Sequence, residues 1–211
     1  MAFNSVGFAI FLTGVVASVW LLPHKRQNVF LLAASYFFYA SWDWRFLVLL
    51  VLSTVIGYTS GVALGATEDE ARRKAIVVSR VALNLAILGV FKYANFFVVS
   101  AVDLLRSVGV SADEPTLRII LPIAISYYTF EEISYTVDLY RRQLRPCRDP
   151  VAYALFVAFF PKLVAGPIER AGNLLDQLIR PRPVTLESMR QALWLTVHGY
   201  FLKVVVADSL A

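Results

Sequence analysis

The chain has 211 residues, 58% of them hydrophobic and 17% charged, with a formal net charge of +5. A mean hydropathy of +0.64 excludes an ordinary soluble domain, which is nearer half apolar and a quarter charged. The basic residues lie in short loops between apolar runs and not in one patch, which excludes nucleic acid as a partner and points to loops facing anionic lipid or an acidic partner.

A spanning helix needs about 20 mostly apolar residues. The first candidate is Val6 to Leu22, closed by Pro23-His24-Lys25-Arg26. Met1 to Ser5 carries no positive charge, so this run reads as a retained span and not a cleaved signal. Further spans are expected over Val29 to Trp42, Phe46 to Leu64, Ala75 to Val99 and Leu117 to Tyr140, with Pro122 expected to kink the last. All are too long or too continuously apolar for alternating strands, so helices follow.

The loops alternate in charge. Lys25 and Arg26, then Arg72, Arg73 and Lys74, then Arg141, Arg142, Arg145 and Arg148 fall on one side; Arg45, Arg106 and Arg118 fall on the other. The positive-inside rule places the Arg-rich loop in the cytoplasm and the N-terminus outside. Trp42 and Trp44 become an outer aromatic anchor, and Lys92 snorkels towards that surface.

After Pro150 the pattern changes. Val151 to Val164 is apolar but short, contains Pro161 and Lys162, and stops at Ala165-Gly166-Pro167. Such a segment reads as a re-entrant, broken helix. Ile168 to Ile179 places Leu174, Leu175 and Leu178 on one face, as an amphipathic helix at the interface would. Thr185 is the expected N-cap of a last helix, Leu186 to Val206. Its run into an apolar C-terminus suggests a piece of a longer protein. The expected fold is therefore an all-α, polytopic transmembrane helical bundle with a broken re-entrant helix and an interfacial amphipathic helix.

Two constellations could carry chemistry. Tyr127, Glu131, Ser134 and Asp138 share one helical face, beside a stripe of Tyr128, Glu132 and Tyr135. They form either the polar wall of a tunnel or an internal ion pair with Lys162, Lys92 or a loop arginine. The second is the break itself: Pro161, Lys162, Gly166, Pro167, Glu169 and Arg170 combine freed backbone groups with charge, as binding sites at broken membrane helices do. His24 reads as solvated and His198 as structural, so no catalytic residue is assigned within the chain. The single Cys147 excludes an intrachain disulfide and a CxxC metal site; it reads as a free thiol, with palmitoylation the alternative.

The segments Leu32–Trp42 (LAASYFFYASW), Phe91–Phe96 (FKYANF), Leu121–Arg141 (LPIAISYYTFEEISYTVDLYR), Phe159–Arg170 (FFPKLVAGPIER) and Val205–Ala211 (VVADSLA) resemble, in order, the membrane-bound O-acyltransferase family. The similar branch is the bacterial one acting in alginate and teichoic acid acylation. The resemblance implies that residues 1–211 are the N-terminal part of one membrane domain, a bowl of helices around a tunnel. It implies an acyltransferase of an exported polysaccharide in the bacterial inner membrane, with the histidine base beyond residue 211. No bound cofactor is implied: the acyl donor is acetyl-CoA or a carrier-protein thioester, and a periplasmic acyltransferase is the expected partner. Within that reading Pro161, Lys162, Gly166, Pro167, Glu169, Arg170, Glu131 and Tyr127 shape the tunnel, and Arg141, Arg142, Arg145 and Arg148 draw in the anionic donor. Lys162, Leu202 and Glu132 depart from the family pattern. The alternatives are a polytopic export component and a truncated, inactive fragment.

Overall fold

A computed structural model describes residues 5–107, 120–163, 166, 169–181 and 185–210. The readings of Leu117, Arg118 and Pro167 fall outside them, as does that of the His24 side chain. Among the described residues every regular element is helical. The order is α1 (Val6–Leu21), α2 (His24–Ala40), α3 (Trp44–Ala66), α4 (Glu70–Ser107), α5 (Ile125–Tyr140), α6 (Pro150–Ala158), α7 (Phe160–Leu163), α8 (Ala171–Ile179) and α9 (Leu186–Tyr200). A π-helical stretch, Phe201–Ala207, then leads into α10 (Asp208–Leu210).

Local chemistry sets the ends. Ser5, Asp43, Asp149 and Thr185 accept backbone amides at the starts of α1, α3, α6 and α9, and Thr185 forms a reciprocal capping box with Ser188. Three elements are long and apolar enough to cross a membrane: α3, α4 and the continuous stretch Leu186–Leu210. The 38 residues of α4 extend roughly 57 Å at 1.5 Å each, well beyond the expected Ala75–Val99 span and the hydrocarbon core.

The fifth predicted span is corrected. Its helix begins only at Ile125, because Ala124 sits in the left-handed region at φ 65°. Pro122 precedes the helix and does not kink it.

Helix α6 is the hub of the bundle. Every residue from Ala152 to Ala158 is buried, with α2, α3, α5 and α8 packed around it. Glycines make this possible. Gly57, Gly61 and Gly65 line one face of α3, where Tyr153, Tyr135 and Pro146 respectively press against the bare backbone. A Cβ on Gly61 would sit 2.9 Å from the Tyr135 ring, inside any normal contact.

Arg73 joins helix ends at the pole of the basic loops. Its guanidinium donates to the Leu64 carbonyl at 2.6 Å and to the Leu139 and Tyr140 carbonyls at 3.0 Å each. A cation over the last carbonyls of α3 and α5 opposes both helix dipoles favourably. Arg142 pairs with Glu68 at 2.7 Å and with Glu70 at 3.2 Å. The two basic loops therefore meet at one end, as the alternating charge pattern requires.

A broken helix, two buried carboxylates and a basic cleft

The break comes at Phe159, whose ψ of 107° leaves the helical region. Pro161 explains it: the ring has no N–H for the Val157 carbonyl and would collide with it in a continuous helix. The chain resumes as α7, where Pro161 occupies the tolerant first turn. The Phe160 amide at the break donates to the Ser35 hydroxyl of α2 at 3.3 Å. The Phe160 ring is wedged among Phe11 at 5.2 Å and Phe38 at 5.6 Å. A polar anchor and an aromatic one thus fix the turn that carries Lys162.

The Lys162 ammonium is ion-paired to Glu131 of α5; the two side chains are only 10% and 6% exposed. The ammonium also lies 4.3 Å from the centre of the Phe156 ring, a cation–π contact strengthened by desolvation. Glu169 lies within electrostatic reach of both charges. The Gly166 amide donates back to the Lys162 carbonyl at 2.9 Å, and a Cβ on Gly166 would sit 2.5 Å from Lys162 Cα. Only glycine closes that turn.

The next residue of α5 points elsewhere. Glu132 is 0% exposed. It accepts from the Arg80 Nη2 of α4 at 2.6 Å and from the Ser53 hydroxyl of α3 at 2.6 Å. Successive helix residues are about 100° apart. Neighbouring carboxylates therefore tie α5 in two directions, to the broken segment through Glu131 and to α3 and α4 through Glu132.

Of the residues expected to act together, the structure unites Glu131, Lys162, Gly166 and Glu169. Pro161 is exposed, Arg170 is exposed at the start of α8, and Tyr127 is 39% exposed on the outer side of α5. The buried face of α5 is the Tyr128–Glu132–Tyr135 stripe. Lys92 pairs with neither carboxylate: it is exposed and lies 5.6 Å from the Tyr93 ring. His198 is exposed and stacks on Trp194. Arg80 escaped sequence reasoning altogether. Its signal was periodic: Arg73, Arg80, Asn84 and Leu88 recur on one face of α4, and all are buried.

The four loop arginines separate. Arg145 and Arg148 line a cleft of about 700 Å³ at the basic pole, together with Cys147 and the first turn of α8. Arg142 is engaged by Glu68 and Glu70 instead, and Arg141 is exposed outside the cleft lining. The cleft backbone is held by tyrosines: Cys147 N–H donates to the Tyr135 hydroxyl at 3.0 Å, and the Tyr58 hydroxyl donates to the Arg148 carbonyl at 2.9 Å.

Cys147 itself is buried, and burial pushes its thiol pKa up. Because the thiolate is the nucleophile, the folded protein should resist a water-soluble maleimide near neutral pH and react once denatured. Rapid labelling of the folded form would show that the cleft wall is built differently.

Sequence comparison adds kinship. No family model matches the chain, and no solved structure matches it. A protein named probable alginate O-acetylase AlgI, from Azotobacter vinelandii, is 40% identical over 214 residues, which cover 100% of this chain and 42% of the relative. Its counterpart from Pseudomonas aeruginosa is 38% identical over 213 residues, covering 100% and 41%. A peptidoglycan O-acetyltransferase from Helicobacter pylori is 32% identical over 237 residues, covering 100% and 43%. The chain thus spans less than half the length of the curated relatives it matches. Along its whole length it is a homologue of part of the proteins named alginate O-acetylase, and its motifs resemble those of the membrane-bound O-acyltransferases.

Proposed function

We propose that the chain is the N-terminal part of a membrane O-acetyltransferase that acts on hydroxyls of an exported polysaccharide. The observation that carries this is the whole-length match to relatives named for O-acetylation of two different polysaccharides, alginate and peptidoglycan. The geometry supports it: a basic cleft at one pole of the bundle, and a broken helix with paired charges in its interior.

In this reading the cleft admits the donor, a thioester on coenzyme A or on a carrier protein. Both carry phosphate on a pantetheine arm. Arg145 and Arg148 supply charge for it, and the first turn of α8 supplies backbone amides without a side-chain cap. The pole bearing this cleft faces the cytoplasm of the inner membrane, with the N-terminus outside. The general base comes from the part of the protein outside this chain, and a periplasmic acyltransferase receives or finishes the transfer.

The test is donor kinetics in membranes containing the complete protein. Arg145→Glu with Arg148→Glu removes charged hydrogen bonds worth about 1.5–3 kcal/mol each, so the donor KM should rise by more than about tenfold while kcat holds. An unchanged donor KM would place the entrance elsewhere.

A further inference from the structure

Behind the Glu131–Lys162 pair lies a second polar cluster, enclosed by α3, α4, α5 and α6, that the transferase reading does not use. Glu132 and Tyr153 are 0% exposed, Tyr128 and Asn84 1%, and Arg80 2%. Among the described residues, Glu132 Oε1, Arg80 Nε and Nη1, Asn84 Nδ2 and the hydroxyls of Tyr128 and Tyr153 find no hydrogen-bond partner. The Tyr153 hydroxyl, Glu132 Oε1 and the Arg80 guanidinium converge beside Gly57. Asn84 follows Arg80 by one turn of α4, and Tyr128 precedes Glu132 by one turn of α5. The Tyr153 hydroxyl feels Glu132 and Arg80, and also Tyr135 and Glu131. At Gly57 a Cβ would meet that hydroxyl, Glu132 Oε1 at 3.0 Å and Arg80 Nη2 at 3.1 Å. A side chain on α3 here would keep Tyr153 out of the cluster.

Native proteins rarely leave so many buried polar atoms unmatched. What matches them must both donate and accept. Arg80 Nε, Arg80 Nη1 and Asn84 Nδ2 need an acceptor, Glu132 Oε1 needs a donor, and the tyrosine hydroxyls take either. The charges already cancel between Arg80 and Glu132. A cation would be opposed by the guanidinium, and an anion by the carboxylate. We infer that this cluster is a binding site for ordered water, enclosed within the bundle by α3, α4, α5 and α6. Buried waters typically make about three hydrogen bonds to groups of this kind, and the Tyr153 hydroxyl, Glu132 and Arg80 meet beside Gly57.

Radiolytic hydroxyl-radical labelling tests this directly, because radicals formed on bound water oxidise the side chains that touch it, however buried. The experiment uses the complete protein in lipid nanodiscs under brief X-ray exposure. Tyr39 is the internal control: it is 2% exposed and its hydroxyl donates to the Ile123 carbonyl. Tyr128 and Tyr153 should be oxidised several-fold faster than Tyr39. In a Tyr153→Phe variant, which keeps the ring but removes one polar wall, oxidation of Tyr128 should fall. The inference is overturned if neither tyrosine outpaces Tyr39, or if Tyr128 labels at its original rate in the variant. Neither outcome touches acetyl transfer, so the two proposals stand or fall separately.

Discussion

Arg80→Met should destabilise the bundle by about 3–5 kcal/mol, the cost of leaving a buried carboxylate without its counter-charge. Few substitutions in a helical protein cost as much. The reason lies in Glu132, which is wholly enclosed and receives both of its charged and neutral donors on the same oxygen, Oε2. Ser53 alone cannot neutralise it. Arg80→Lys should recover only part of the loss: Arg80 makes its contacts to Glu132 Oε2 and the Ser53 carbonyl through one nitrogen, Nη2, and an ammonium on a differently shaped stem must be drawn into that position at a packing cost. The informative partner is the double variant Arg80→Met with Glu132→Leu. Replacing a whole buried pair with apolar groups of similar volume is often neutral or stabilising, so the double should be far more stable than the single. Thermal unfolding of the detergent-solubilised protein reads both. A single variant as stable as the wild type would mean that Glu132 is reached by solvent or neutralised by something else.

The second large effect is expected at Gly166, and there it falls on activity. Alanine at this position already places a carbon 2.5 Å from Lys162 Cα and 2.8 Å from the Lys162 carbonyl oxygen. Both are backbone atoms and cannot swing aside. The turn must open, the Gly166 amide leaves the Lys162 carbonyl, and the ammonium is drawn away from Glu131 and from the Phe156 ring. Misplacement of a positioned group by about 1 Å can cost roughly a hundredfold in rate. In the complete protein, on the proposed function, Gly166→Leu should therefore abolish measurable O-acetylation, and Gly166→Ala should reduce it steeply, at near-normal abundance in the membrane. Gly89→Ala is the matched control, because nothing lies within 4 Å of a Cβ there. Wild-type transfer by the leucine variant at wild-type abundance would remove the broken segment from the mechanism.

Much of the architecture was legible in one dimension. Length and hydropathy place α1 and α3 within two residues of their observed ends, because an apolar run bounded by Ser5, Pro23 or Asp43 leaves little choice. The break after α6 was legible for the same reason: a proline inside a short apolar run cannot be absorbed. The start of α5 was not, since the left-handed backbone at Ala124 follows from no residue type that favours it. Arg80 lies near the start of the expected Ala75–Val99 span, where a long cationic side chain ordinarily reaches the interface. Its burial depends on Glu132 facing it from 52 residues away, a fact of tertiary pairing. The same holds for the loop arginines. Arg142 and Arg145 look alike in sequence, and only the placement of Glu68, Glu70 and α8 sends one to an ion pair and the other to the cleft. The glycines of α3 carry a spacing signal, but what they admit, two tyrosine rings and a proline, becomes visible only when α5, α6 and the loop between them are in place.

The most direct measurement concerns whether the charges of the broken segment face a polar interior or lipid. A nitroxide placed by Lys162→Cys in a Cys147→Ser background can be compared, in nanodiscs, with one placed by Val55→Cys on the outer face of α3, where the native side chain is 52% exposed. Power saturation against a water-soluble nickel complex and against oxygen reports which solvent each label meets. The prediction is a higher nickel-to-oxygen ratio at position 162 than at position 55. An oxygen-dominated signal at 162, equal to that at 55, would contradict a polar interior and the transfer route built on it.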